Sequence, residues 1–399
     1  MGPVESADLS SGPILPGPTS PENDVGKIVQ PARFLASHHR PGEDHVYAAL
    51  DLGTNNCRLL IARPSGGGRA GFRIIDSFSR IVRLGEGLSK SARLNPAAIE
   101  RTIGALQVCR QKIDLRGVTR ARLVATEACR MAHNGAEFLE RAYDSTGLEL
   151  EIVDRETEAH LAAAGSISLA DPAAEGALLF DIGGGSSELV WLGPSVGKPR
   201  GGRATDAPLS ERVRCWVSLP LGVVTLAEKF GGLEVSSAVF EAMIGHVSGE
   251  LAGFVERVGE RRHCKRFHLL GTSGTVTTIA GVFLGLVRYD RHRVDGLWMS
   301  SADVDDSIKI LRGMTYEDRV ANGCIGAGRA DLVLAGCAIF EAIRRAFPAE
   351  RVRIADRGLR EGILHQLISA DSVSERGSSR AACSHGRAGA NEISFKQPI

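Results

Sequence analysis

The sequence predicts an α/β fold that contains two duplicated domains. A strand–turn–strand segment with an Asp-x-Gly turn occurs twice, at Asp51 and at Asp181, 130 residues apart. Helical patterns follow each copy, as expected for repeated α/β units. The 399 residues, with 43% hydrophobic and 24% charged content, are enough to form two cores.

The first copy opens the ordered part of the chain. Residues 46–63 alternate between an apolar run, a polar turn and a second apolar run, which is typical of a hairpin. We predict a first domain over residues 46–172, with helices near Pro96–Gln111 and Glu156–Ala170.

The second copy repeats this design at residues 177–192, where Asp181 and Gly183 align with Asp51 and Gly53. We predict a second domain over residues 173–370, whose last helix can pack back on the first domain. Its other helices are expected near Ser236–Val258, Ala302–Leu311 and Arg329–Ala346.

The remaining segments have biased composition. Residues 1–45 are rich in Pro, Ser and Gly, and residues 371–399 are rich in Ser, Arg and Gly, so we expect two disordered tails. Residues 193–214 form a Gly-, Pro- and Arg-rich insertion, interpreted as a surface loop or as a basic guide for an anionic substrate.

Bulk features exclude several classes of protein. A net charge of +1 disfavours a nucleic-acid partner, and the eight cysteines form no Cys-x-x-Cys pair that would indicate zinc. No apolar run of transmembrane length and no signal peptide was identified, so we expect no membrane partner and a cytoplasmic location.

The two Asp-x-Gly turns suit phosphate chemistry. Their small residues can present consecutive backbone N–H groups to phosphate oxygens. An acidic residue would repel phosphate directly, so Asp51 and Asp181 are candidate ligands of a Mg²⁺ ion that bridges to it. The candidate phosphate-binding residues are Gly53, Thr54, Asn55, Gly183, Gly184, Gly185 and Ser186.

A third glycine cluster follows an apolar run that begins at His268. We expect this strand to break into a loop and then a helix, whose N-terminus could bind further phosphate. The candidates are Gly271, Thr272, Ser273 and Gly274. The alternative is an ordinary strand-to-helix connection.

Hydrolysis also requires a base that activates water. Residues 148–154 are predicted to form a strand, and Glu156 and Glu158 lie in the first turn of the next helix. At spacing two they point in different directions, so at most one faces a cleft, and both could simply complement the helix dipole. Candidate arginines for the substrate charge are Arg58, Arg83 and Arg130.

The ordered motifs together resemble the exopolyphosphatase and guanosine pentaphosphate phosphatase (Ppx/GppA) family of the actin, Hsp70 and sugar-kinase superfamily. The resemblance covers about Tyr47 to Leu367. It depends on segments Asp51–Leu59, Val82–Leu88, Ala125–Arg130, Glu156–Ala159, Asp181–Glu188, Gly271–Thr275 and Asp356–Gly362.

The resemblance implies two actin-like (ribonuclease-H-like) domains with a cleft between them, and Mg²⁺ or Mn²⁺ as cofactor. It selects Glu158 as the water-activating base and implies that Asp181 and Glu188 position metal and water. Asn56 departs from the family's usual serine, which puts the phosphate contact there in doubt. The family's longer members carry C-terminal helical domains, whose features are not expected here. The resemblance also makes a homodimer the expected oligomer.

The leading hypothesis is therefore an exopolyphosphatase that releases orthophosphate from inorganic polyphosphate. Guanosine pentaphosphate is the alternative substrate, because both molecules present a terminal phosphoanhydride. A sugar kinase or ATPase of the same superfamily, and a non-catalytic polyphosphate sensor, are the more remote hypotheses.

Overall fold

The computed structural model describes residues 45–65, 71–195 and 209–371. The tails expected at residues 1–45 and 371–399, and most of the insertion at 193–214, lie almost entirely outside these residues. Where the insertion is described again, it forms a short helix and the start of a strand. The described residues belong to one compact unit, which is not divided at residue 172, so the domain boundaries stay a prediction.

The first sheet has five strands in the order β3-β2-β1-β4-β5. β1 and β2 form the expected hairpin, β2 and β3 are antiparallel, and β4 and β5 run parallel to β1 and β4. The strands are β1 (Tyr47–Leu52), β2 (Asn56–Pro64), β3 (Phe72–Ile81), β4 (Arg120–Ala125) and β5 (Glu151–Ile152). The helices up to the second sheet are α1 (Leu88–Ser91), α2 (Pro96–Leu115), α3 (Glu127–Met131), α4 (Gly135–Thr146) and α5 (Arg155–Ser166), with a 3₁₀ turn at Ile167–Leu169.

The second sheet repeats this topology with one added strand, in the order β10-β11-β9-β6-β7-β8. Its strands are β6 (Gly176–Ile182), β7 (Ser187–Leu192), β8 (Val213–Leu219), β9 (Phe267–Thr272), β10 (Trp298–Ser300) and β11 (Arg351–Ala355). Its helices are α6 (Leu209–Arg212), α7 (Val223–Phe230), α8 (Ser237–Val258), α9 (Ser273–Phe283), α10 (Arg291–Val294), α11 (Ser301–Gly313), α12 (Tyr316–Ala321) and α13 (Val333–Ala346), with a 3₁₀ turn at Gly259–His263. A last helix, α14, covers residues 359–371.

The two hairpins match residue for residue, which confirms the predicted duplication. Asp51 is paired with Arg58 across β1 and β2, and Asp181 is paired with Glu188 at the same position of β6 and β7. Each turn is closed by a backbone hydrogen bond of 2.9 Å, from the N–H of its glycine to the carbonyl three residues later. β1 and β6 are apolar on both faces because helices cover both sides of their sheets.

Each sheet forms the centre of one lobe. We call the first sheet with α1–α4 the first lobe, and the second sheet with α6–α13 the second lobe. The outer faces pack on α2 in the first lobe and on α8, α9, α11 and α13 in the second. The inner faces share α5: its Leu161 packs on the first sheet, and its Ala159 and Ala163 pack on the second. Ile363 of α14 also packs on the first sheet.

Two predicted elements were wrong in extent. The strand expected over residues 148–154 pairs with β4 only at Glu151–Ile152, because the apolar side chains of Leu148 and Leu150 pack in the core without joining the ladder. The helix expected from Arg329 begins at Val333, after a run of turns.

One helix of the described chain, Ser237–His263, is long and apolar enough to cross a membrane by length and composition alone. Its largest apolar side chains, however, lie on one face and are buried in the second core. These are Phe240, Met243, Ile244, Val247, Leu251 and Phe254. Because such one-sided burial is the pattern of an amphipathic core helix, we interpret it as part of the fold.

Candidate active site

A cleft of about 920 Å³ lies where the two hairpin turns meet. Both turns line it, and so do Glu158 at the start of α5 and Glu188 on β7. The structure therefore brings together residues that are separated by more than one hundred positions in the sequence. Glu156, the other candidate base, is exposed to solvent, so of the two glutamates only Glu158 faces the cleft.

The two turns touch each other, and their glycines make this approach possible. A Cβ atom on Gly185 would lie 2.6 Å from the hydroxyl oxygen of Thr54, and one on Gly184 would lie 3.1 Å from the backbone nitrogen of Asn55. Behind them, a Cβ atom on Gly222 would lie 2.4 Å from the backbone of Gly184. Glycine thus leaves backbone groups rather than side chains at the junction, as a phosphate-binding turn requires.

Four carboxyl groups share the cleft wall. Burial raises the pKa of Asp51 and raises that of Asp181 to about 6, against the opposing charge of Arg58. Burial also raises the pKa of Glu158 to about 7, although Arg130 opposes this shift. The pKa of Glu188 is raised well above its ordinary value by burial and by the charges of Glu158 and Asp181.

Glu188 is held by the neighbouring strand. The hydroxyl group of Ser218 on β8 donates a hydrogen bond of 2.8 Å to Glu188 Oε1, and the two residues are paired in register. Ser218 was not identified from the sequence, because its role depends on the pairing of β7 with β8 across the insertion.

Asp51 and Asp181 are the candidate ligands of a metal ion. They are carboxylates in a cleft that also holds phosphate-type turns, and burial raises the pKa of both against the charge of Arg58. Among the described residues, no three His, Cys, Asp or Glu side chains form a ready metal cluster. A hard cation that takes its remaining ligands from water and substrate, such as Mg²⁺, fits this arrangement.

Two partly buried arginines, Arg58 and Arg329, line the cleft, and a third, Arg360, lines a second cavity next to it. Across residues 45–65, 71–195 and 209–371, no ion pair or hydrogen bond involves the guanidinium groups of Arg58, Arg329 or Arg360. Burial lowers the pKa values of Arg329 and Arg360, and the charge of Arg58 lowers both further. Because like charges repel, this arrangement favours an anion of several charges between them.

All three arginines line this second cavity, whose volume is about 1400 Å³. Arg291 and Arg357 also line it, but they are paired with acidic residues. Sequence reasoning identified Arg58 alone. Arg360 lies in the Asp356–Gly362 motif, which gave a signal that was not used, whereas Arg329 has no distinctive pattern.

The third glycine cluster is built differently from the expectation. No loop separates β9 from α9: the helix begins at Ser273, directly after the strand. Gly271 lies inside the strand, where a Cβ atom would be 2.6 Å from the ring of Phe180. Glycine is therefore required at this position because a larger residue would clash with that ring. Thr272 lines the second cavity and its hydroxyl donates to the carbonyl of Arg357.

Ser273 and Gly274, in contrast, line both cavities. Ser273 has a φ of 88°, a left-handed conformation that is rare outside glycine and is maintained at functional sites. Its buried hydroxyl oxygen has no hydrogen-bond partner. The N-terminus of α9 thus presents an unsatisfied hydroxyl to the cleft.

Two of the candidate arginines are engaged elsewhere. Arg83 forms an ion pair with Asp331 at 2.8 Å. Arg130 does not line the cleft: its Nε and Nη2 atoms donate to Glu127, Nη2 also donates to Glu158 Oε2 at 3.0 Å, and Nη1 donates to the Val153 carbonyl at 2.6 Å. Because these donor atoms bind protein groups in this structure, the expected phosphate contact of Arg130 stays a prediction.

The fold and the cleft define a class of protein: a two-lobed α/β protein with a duplicated Asp-x-Gly hairpin and carboxylates at the lobe junction. Residues 60–370 match the model of the Ppx/GppA phosphatase family. The chain belongs to this family.

Individual relatives agree with this assignment. The chain is 28% identical to "Exopolyphosphatase 2" of Mycobacterium tuberculosis, over 80% of this chain and 98% of that protein. It is 29% identical to the "Guanosine-5'-triphosphate,3'-diphosphate pyrophosphatase" of Aeromonas hydrophila, over 81% of this chain and 59% of that protein. The crystal structure of the Aquifex aeolicus family member matches with a TM-score of 0.63 at 28% identity, over 82% of this chain and 99% of that chain.

Proposed function

We propose that this protein is an exopolyphosphatase that hydrolyses the terminal phosphoanhydride bond of inorganic polyphosphate. The observation that carries the proposal is the position of Glu158, which lines the same cleft as the two phosphate-type turns. A carboxylate beside bound phosphate can accept a proton from water, whereas the superfamily's turns alone bind phosphate without selecting water as the acceptor.

Different residues have different roles in the proposed hydrolysis. The backbone N–H groups of the turns at Gly53 and Gly183 bind the terminal phosphate, and Glu158 orients and deprotonates the attacking water. Arg58, Arg329 and Arg360 stabilise the charge of the following phosphates, since guanidinium groups match phosphate oxygens in geometry.

Asp51 and Asp181 would hold a divalent metal ion, Mg²⁺ or Mn²⁺, at the cleft. When bound, such an ion would supply positive charge to offset the negative charge that develops during phosphoryl transfer. Two carboxylates with water and substrate completing the coordination agree with the preferences of Mg²⁺.

The test is a pair of variants of neighbouring glutamates. Glu158→Gln removes the proton acceptor and should lower metal-dependent phosphate release by about 10³-fold, while polyphosphate binding survives. Glu156→Gln, on the exposed side of the same helix turn, is the control and should retain full activity. Undiminished phosphate release by the Glu158→Gln protein would remove the mechanism.

Guanosine pentaphosphate is the second candidate substrate, because the Aeromonas relative is named for guanosine phosphate chemistry. Polyphosphate is preferred on two grounds. The match to the mycobacterial exopolyphosphatase extends over 98% of that protein. Three arginines that form no ion pair among the described residues also line the second cavity, where further phosphates could bind. Phosphate release from polyphosphate, guanosine pentaphosphate and ATP should be measured side by side. Exclusive use of the nucleotide would overturn the preference.

A further inference from the structure

A buried glutamate outside the cleft, Glu127, accepts hydrogen bonds from Arg130, the arginine that also binds Glu158. Glu127, at the start of α3, is only 5% exposed. Its Oε2 atom accepts hydrogen bonds from Nε and Nη2 of Arg130, and its Oε1 atom accepts one of 2.9 Å from Nη2 of Arg155. One carboxylate therefore holds two guanidinium groups from different helices.

This arrangement limits what Arg130 can do to Glu158. The single hydrogen bond from Arg130 to Glu158 involves Nη2 and Oε2, and Nη2 is shared with Glu127. Among the described residues, no donor binds Glu158 Oε1. That oxygen therefore stays available to a water molecule in the cleft.

Without Glu127 the same arginine would act differently. A guanidinium group released from its partner prefers a bidentate pair with the nearest carboxylate, and the nearest one is Glu158. Such a pair would occupy both oxygens of Glu158 and align its carboxylate with the guanidinium plane instead of with the attacking water. Glu158 would then be present, but both of its oxygens would be hydrogen-bonded to Arg130.

We infer that Glu127 is a positioning residue for Glu158: by holding the guanidinium group of Arg130, it keeps one oxygen of Glu158 free to accept the proton from water. This inference rests on the proposed function, in which Glu158 is the base. Arg155 is a second partner of Glu127 and contacts Glu158 in no hydrogen bond or ion pair of the described residues, so it lies outside this effect.

The test compares kcat and KM for polyphosphate in two variants. Glu127→Gln keeps the size of the side chain but loses its charge, and it should lower kcat by about 10²-fold with KM changed less than about 3-fold. Arg155→Gln removes the other partner of the same carboxylate and should leave kcat within about 3-fold. An equal loss of kcat in both variants would indicate general disruption and overturn the inference.

A double substitution distinguishes positioning from structural damage. A lysine at position 130 has a single charged nitrogen and cannot form the bidentate pair. Glu127→Gln should therefore cost less than about 3-fold in kcat when it is introduced into an Arg130→Lys background. If instead the two losses multiply, as independent effects do, the inference fails. If Glu127→Gln alone does not fold, a folded double variant whose kcat lies more than about 3-fold below that of Arg130→Lys contradicts the inference.

Failure of the inference and failure of the proposed function are separable. Full activity of Glu158→Gln would contradict the proposed function. An inactive Glu158→Gln protein combined with a fully active Glu127→Gln protein would contradict the positioning role alone. Thermal unfolding of every variant shows whether a loss of kcat reflects loss of the fold.

Discussion

At the scale of single residues, the cleft places four carboxyl groups in an environment that disfavours their charge. Glu158 shows the consequence for catalysis most directly, since burial raises its pKa to about 7. A base with a pKa near the working pH is strong enough to accept a proton and is still ionised in about half of the molecules. The opposing charge of Arg130 keeps this pKa from rising further.

The activity should therefore depend on pH with a defined sign. Glu158 must be ionised to act as base, so kcat/KM for polyphosphate should rise with pH below about 7 and level off above it. Measuring initial rates from pH 5 to 9 at saturating Mg²⁺ checks this. A rate that stays constant down to pH 5 would show that no group with a raised pKa serves as the base.

Residues differ in how far the sequence could reveal them. Asp51, Asp181 and the glycines around them were identified because a turn between two strands is a local pattern. Arg329 was missed, and Arg130 was assigned to phosphate, because the partner of an arginine is set by tertiary contacts. Nothing local shows that Arg130 is bound by Glu127 whereas Arg329 forms no side-chain hydrogen bond or ion pair within residues 45–65, 71–195 and 209–371.

At the scale of elements, the position of Glu158 depends on how closely α5 approaches α14. α5 contributes to the inner cores of both sheets, whereas α14 packs with α5 in the inner core of the first sheet. Two glycines permit their contact: Gly165 lies against the backbone of Gly358, and Gly362 lies against the backbone of Leu161. The sequence predicted α5 itself, but not this contact, because nothing local specifies which helices cross.

Substituting Gly362 by alanine should separate the two helices. Its Cβ atom would lie 2.0 Å from the carbonyl oxygen of Leu161, so backbone must move. Overpacking of this kind costs about 1–3 kcal/mol, and we expect a lower melting temperature together with lower kcat, because α5 carries Glu158.

Gly253→Ala provides the matched control for this change. Gly253 lies in α8 with no atom within 4 Å of an added Cβ, so alanine there should leave the free energy of unfolding unchanged or raise it by up to about 1 kcal/mol. Melting curves and phosphate release for both proteins settle the comparison. Equal behaviour of the two variants would mean that the contact between α5 and α14 does not position Glu158.

At the scale of the whole molecule, the duplicated sheets could be predicted because each repeat contains its own hairpin and apolar strands. The contacts between the lobes could not be predicted, because they depend on side chains that meet only after folding. Arg83 is the example. The sequence suggested it for substrate charge, but in the structure it joins the first lobe to Asp331 of the second.

Two contacts close the cleft on the side of α1. Arg83 donates to both oxygens of Asp331, at 2.9 and 2.8 Å, and Glu228 of α7 accepts from the Gly87 backbone at 2.8 Å and from the Ser89 hydroxyl. We call this pair of contacts the interlobe clasp. The clasp joins the lobes in the form in which both turns line one cleft, so it sets part of the balance between open and closed forms.

Weakening the clasp should open the protein without changing its chemistry. The double variant Asp331→Asn, Glu228→Gln removes both acceptor charges. Partly exposed pairs contribute modestly, so we expect KM for polyphosphate to rise about 3- to 10-fold while kcat changes less than about 2-fold. The radius of gyration of the substrate-free protein, measured by solution X-ray scattering, should increase. Asp305→Asn breaks an ion pair with Arg344 inside the second lobe and should change neither quantity. If the double variant matches this control, the clasp does not hold the lobes together.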